Sequence, residues 1–181
     1  MKWGPASIAG AIAAVVGFAA CGGGGPAVSA GALRSYVAEV QPVRLGVNRL
    51  LEGADPILDA YRDHQMTGQQ ASDAMGRLEQ RFAADTVRIT ALTPSNPALA
   101  RLNAPYAHTY ILEDSYLNAL VAALPDGDFS ALPNTQSDQR AAIILWRVRL
   151  EVLADQTHVH LPGNLQQAGR GEIAPDPGGG S

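Results

Sequence analysis

The chain has one cysteine and one lysine in 181 residues, and aromatic side chains make up only 6% of it. A lone cysteine has no partner for an internal disulfide. Charge is sparse as well, at 17% of residues, and acidic side chains outnumber basic ones by 17 to 13. The resulting formal charge of −4 argues against a nucleic-acid partner, which is usually gripped through a basic face. Apart from Lys2 every basic residue is arginine, a bias of the whole chain and therefore no sign of special chemistry at any one position. The common catalytic signatures are missing too: Gly-x-Ser-x-Gly, His-Glu-x-x-His and the phosphate-binding loop. None of the four histidines follows a glutamate at the spacing of a di-metal bundle, and no Cys-x-x-Cys-His offers a haem attachment. These absences point away from an enzyme, from a cofactor and from a metal site. What the chain does have is 46% hydrophobic residues, ample for one packed core.

The amino terminus reads as a leader. Lys2 supplies the positive charge, Ser7 to Ala20 are uncharged, and small residues precede Cys21. As a helix this stretch rises about 21 Å, short of the roughly 30 Å of a hydrocarbon core. Counting from Trp3 lengthens it, so an uncleaved membrane anchor stays open as the alternative. Phe18-Ala19-Ala20-Cys21 resembles the lipobox of bacterial lipoproteins, with Phe18 standing where leucine is usual. The resemblance implies cleavage before Cys21, a lipid on its sulfur, and an anchor on the outer side of the cell membrane. The run from Gly22 to Gly31 then serves as a flexible tether.

From Leu33 the apolar pattern is helical. Leu33, Val40, Val47, Ala54 and Tyr61 recur every seven residues, with Tyr36, Val43, Leu50 and Ile57 between them. Pro42 and Pro56 interrupt without shifting this register, which predicts one long kinked helix, or two nearly collinear pieces, ending near His64. Thr67 and Gln70 form a capping box for a second helix with the seam Ala71, Met75, Leu78, Phe82, Asp85, Ile89 and Leu92. Asn96-Pro97 starts a third, whose inner face runs Leu99, Leu102, Tyr106, Tyr110, Glu113, Leu117, Leu120 and Leu124, with Pro105 as a kink. Ser137 or Asp138 caps a fourth, with the seam Ile143, Trp146, Leu150 and Leu153. Ile144, Leu145 and Val148 widen its apolar arc and predict contact with two neighbours. After Gln156 the pattern fades into a Pro/Gly-rich ending.

The candidate site residues are the charges on apolar stripes. Folding the helices back on one another brings Asp85 level with about Leu45, with about Tyr106 and with about Thr157. Arg44, Asp85, Tyr106 and His108 are thus a candidate ligand-binding layer between the two kinking prolines. The plainer alternative pairs Asp85 with Arg81 or Arg88 of its own helix. Glu113, level with Arg77 and Arg149 by the same folding, is the second such acid. His158-x-His160 reads as a solvated loop rather than a metal site, since no third ligand accompanies it.

The sequence therefore predicts an all-α chain: a signal peptide over 1–20, a lipidated Cys21 and tether over 21–32, an up-and-down four-helix bundle with kinked first and third helices over 33–160, and a loose tail over 161–181. The expected function is non-enzymatic binding of a partner protein or a small ligand by a membrane-anchored domain. The alternative is a ligand or metal sensor built on the polar layer around Asp85.

Overall fold

The computed structural model describes residues 27–168 and 171–177. The leader, Cys21 and the tether up to residue 26 lie outside the described residues, and residues 30–32, expected as tether, form the first turn of a helix. Among those described, the chain is helical and contains no strand. Five α-helices follow in order, α1 (Ala30–Leu51), α2 (Ala54–Arg62), α3 (Gly68–Thr90), α4 (Pro97–Ala123) and α5 (Gln136–Thr157), and a short 3-10 helix spans Gly163–Gln167. Local chemistry places three of their starts. The Ser29 hydroxyl accepts the Ala32 N–H at 3.1 Å, the Thr67–Gln70 capping box closes in both directions, and Asn96 caps α4 with Pro97 at its first position. Helix α5 begins earlier than its Ser137 and Asp138 suggested, after Thr135, which makes no side-chain cap bond.

The heptad of the first segment runs through a break. Glu52 and Gly53 separate α1 from α2, so the expected segment is two helices, and yet Ala54 is fully buried in phase with Leu33, Val40 and Val47. Helix α3 packs against α1, α2 and α4, while α5 packs against α4 and α1. Every residue of the α4 inner face from Leu99 to Leu124 is buried, Glu113 included. Between α4 and α5, Phe129 meets Tyr61 edge-on, with ring centroids 6.2 Å apart.

Two expectations change. Helix α5 does meet two neighbours, α4 and α1, but not through its wide arc: Ile144, Leu145 and Val148 stay exposed while Ile143, Trp146 and Leu150 fill the core. The ending after His160 is also not loose over its described part. Leu161, Leu165, Ala168, Glu172 and Ala174 are buried, and the chain lies back across α1, α4 and α5.

Candidate functional site

The most polar part of the interior lies where that returning chain meets the helices. Arg44 sits on α1 beside the Val40, Val43 and Val47 seam and is 1% exposed. Its Nε donates to Glu172 Oε1 at 2.6 Å, and neither side chain reaches solvent. Tyr106 of α4 donates to the other carboxylate oxygen at 3.2 Å, and its own hydroxyl lies 3.0 Å from that of Tyr110. With Tyr106 donating to the carboxylate, its oxygen is left to accept from Tyr110. The rings are packed as tightly as the hydroxyls are linked: Tyr106 stacks on Trp146 at 4.1 Å, and Phe82 stacks on Tyr110 at 5.9 Å.

A second polar string crosses the same core. Trp146 Nε1 donates to the Tyr36 hydroxyl at 2.8 Å, which donates in turn to Asn103 Oδ1 at 3.0 Å. Each buried polar group so met avoids the full desolvation cost of an unmade bond.

The third group holds the returning backbone. Glu113 Oε1 accepts the Ala174 N–H at 2.7 Å, Gln136 Nε2 donates to the Ala174 carbonyl at 3.1 Å, and the Tyr116 hydroxyl donates to the Pro175 carbonyl at 3.2 Å. Arg44 Nη1 is buried without a hydrogen-bond partner among the described residues, whereas the Gln139 side chain acts on the Glu113 carboxylate.

Burial governs the titration of these groups. It pushes Tyr106 well above the ordinary tyrosine range, with Tyr110 and the Glu172 charge adding to the effect. Tyr36 and Tyr110 are raised as well, chiefly by burial. All three hydroxyls are therefore neutral donors rather than nucleophiles. Glu113 is pushed by burial up to about 7, against the opposing pull of the Ala174 N–H and the Gln139 side chain.

Of the four residues of the expected ligand-binding layer, the structure brings Arg44 and Tyr106 together, joined through Glu172. His108 is outside that cluster, and Asp85 acts on it only through its charge, which is felt at Tyr110. The Asp85 side chain is 17% exposed and pairs with Arg88 one turn away at 3.2 Å. It faces α1 at Gly46, where an added Cβ would lie 3.7 Å from Asp85 Oδ2. Thr86 takes the buried position that the heptad gave to Asp85. His108 is exposed, as are His158 and His160, with His158 ending α5 in the left-handed conformation. Glu113 is bonded to the returning backbone rather than to Arg77 or Arg149. Among the described residues no three His, Cys, Asp or Glu side chains are grouped to hold a metal ion.

Sequence reasoning missed Glu172 and Gln139. The stretch Glu172-Ile173-Ala174-Pro175 carried the only usable signal, an acid and an aliphatic side chain inside a Gly/Pro-rich ending. No family model, characterised protein or solved structure matches this chain.

Proposed function

We propose that this chain is a lipid-anchored protein on the outer side of the cell membrane, folded as an up-and-down four-helix bundle with kinks at Pro42 and Pro105, and that it binds a partner protein rather than catalysing a reaction. The lipobox-like Phe18-Ala19-Ala20-Cys21 supports the anchor. The pairing of α3 with α1 and α4, and of α5 with α4 and α1, supports the bundle, and both prolines lie inside their helices. No helix of the described residues is long and apolar enough to cross a membrane, which suits a tethered domain.

The observation that carries the binding role is the outer face of α5. Ile144, Leu145, Val148 and Val152 are 41, 47, 43 and 48% exposed and share one side of the helix. Val148 and Val152 border a groove of about 370 Å³ against α4, floored by Ala98, Leu102 and Leu153 and rimmed by Arg101 and Arg149. A contiguous apolar surface with a charged rim is the form that protein–protein contacts take. The polar groups inside the protein, by contrast, are enclosed by the chain's own ending.

The test has two arms. Cys21→Ser should abolish labelling of the chain by a clickable fatty acid, and equal labelling of mutant and wild type sinks the anchor. A photo-crosslinking residue at Val148 should trap one discrete adduct in membranes that the same probe at the exposed Asp73 does not, and Leu145→Glu should remove it. Identical patterns from the two probe positions would count against this face as the docking surface.

A further inference from the structure

The returning segment is held in an unusual way for part of a helical core. Besides the packing of Ile173 and Ala174 against the core, its hydrogen bonds to α1, α4 and α5 pair helix side chains with the Glu172 carboxylate and with the segment's own backbone. Glu172 is read by Arg44 and Tyr106; the N–H and carbonyl of Ala174 are read by Glu113 and Gln136; the carbonyl of Pro175 is read by Tyr116. This is how a protein recognises an extended peptide, with main-chain bonds for affinity and a charged side chain in a fitted recess for specificity.

We infer that the cleft formed by Arg44, Tyr106, Glu113, Tyr116 and Gln136 is a peptide-binding site for an extended acidic segment of the type Glu-aliphatic-small-Pro, filled here by the chain's own residues 172–175, and that it takes the same segment from a second copy of the chain.

Two further observations support exchange. The site is not saturated by its internal occupant, since Arg44 Nη1, on a residue 1% exposed, has no hydrogen-bond partner among the described residues. A segment that belonged permanently to the core would meet such an atom. Gly171, next to Glu172, also has φ +72 and an open surround, with no atom within 4 Å of an added Cβ. Rotation at this glycine redirects the segment without breaking a helix, the requirement for exchange of an element between identical copies. Because a tethered segment competes at a high effective concentration, a free peptide binds weakly to the wild-type chain.

The experiment uses the full chain and a fluorescein-labelled peptide, Gly-Glu-Ile-Ala-Pro-Asp-Pro, copied from residues 171–177. Two variants weaken the internal occupant while leaving the cleft residues unchanged. Glu172→Gln removes its charge, and Ala174→Arg places a long side chain where the alanine is 2% exposed. Fluorescence anisotropy should show the peptide binding both variants at least about tenfold more tightly than the wild type. A peptide with Gln in place of its Glu should lose about tenfold or more of that affinity. Native mass spectrometry of the Ala174→Arg chain mixed with wild type should show a mixed dimer. A folded Ala174→Arg chain that binds no peptide at millimolar concentration overturns the site, as does equal binding of the Gln peptide. Unfolding of both variants that excess peptide fails to reverse overturns it too, because the segment is then core rather than ligand. Peptide binding without a mixed dimer at the same concentrations overturns the second copy as the source.

Discussion

Glu113 should make this protein less stable as pH rises toward neutrality. The residue is 2% exposed, and burial raises its carboxyl from 4.5 to about 7, against the lowering effect of the Ala174 N–H and Gln139. With the folded pKa above the unfolded one, the native state holds more protons between those two values, and stability falls with pH there. The contribution is whole below about pH 4.5, is lost as pH climbs through about 7, and is flat beyond. At about 1.4 kcal/mol per pKa unit, the full loss is on the order of 3 kcal/mol. Glu113→Gln keeps a carbonyl oxygen for the Ala174 N–H and cannot ionise. Urea unfolding measured at closely spaced pH values between about 4 and 8.5 should therefore show the wild type falling relative to the variant by that amount. Asp114 and Glu79 are also raised by burial, but both chains carry them, so they cancel in the difference. Parallel profiles for the two chains would refute the reasoning, because they would mean that the Glu113 carboxylate is solvated in the folded state.

Two further predictions concern packing and the buried pair. At Gly68 an added Cβ would lie 2.5 Å from the Leu124 carbonyl oxygen and 2.7 Å from that of Pro125, both backbone atoms. Gly68→Ala should cost about 1–3 kcal/mol, read as a lower thermal midpoint, and an unchanged midpoint would mean that the start of α3 and the end of α4 are not so closely apposed. Glu172→Leu alone leaves Arg44 buried without its counter-charge and should cost about 3–5 kcal/mol, whereas adding Arg44→Met should recover most of that loss. Simple additivity of the two single costs in denaturant melts would contradict a coupled, desolvated pair.

Much of the helical framework was legible because its causes are local. A capping box and an Asn-Pro start announce themselves within four residues, and Thr67 and Asn96 do begin α3 and α4. The heptads through Leu33, Ala71 and Leu99 are records of which side of a helix avoids water, and those residues are buried. Asp85 shows where such a record fails. An α-helix turns by 3.6 residues, so a strict seven-residue repeat drifts around the helix, and by the last turns of α3 the inward position has passed to Thr86. The candidate layer was half legible for the same reason: Arg44 and Tyr106 were placed at one level, while His108, two residues past Tyr106, is turned outward.

By itself, then, the sequence determined that this chain is helical, where α3 and α4 begin, which stripe of most helices turns inward, and that its amino terminus carries a lipobox-like motif. Only the tertiary structure decided which stripes find a neighbour and what fills the polar interior. The apolar arc of α5 looks alike on both flanks, and solvent exposure of Ile144, Leu145 and Val148 reflects that no further helix of the described residues lies beside them. Arg44 meets Glu172 across 128 positions of chain. The segment bearing Glu172 has no period, because side chains of three helices recognise its carboxylate and its backbone, and a backbone that is bound in this way leaves no spacing for a sequence to display.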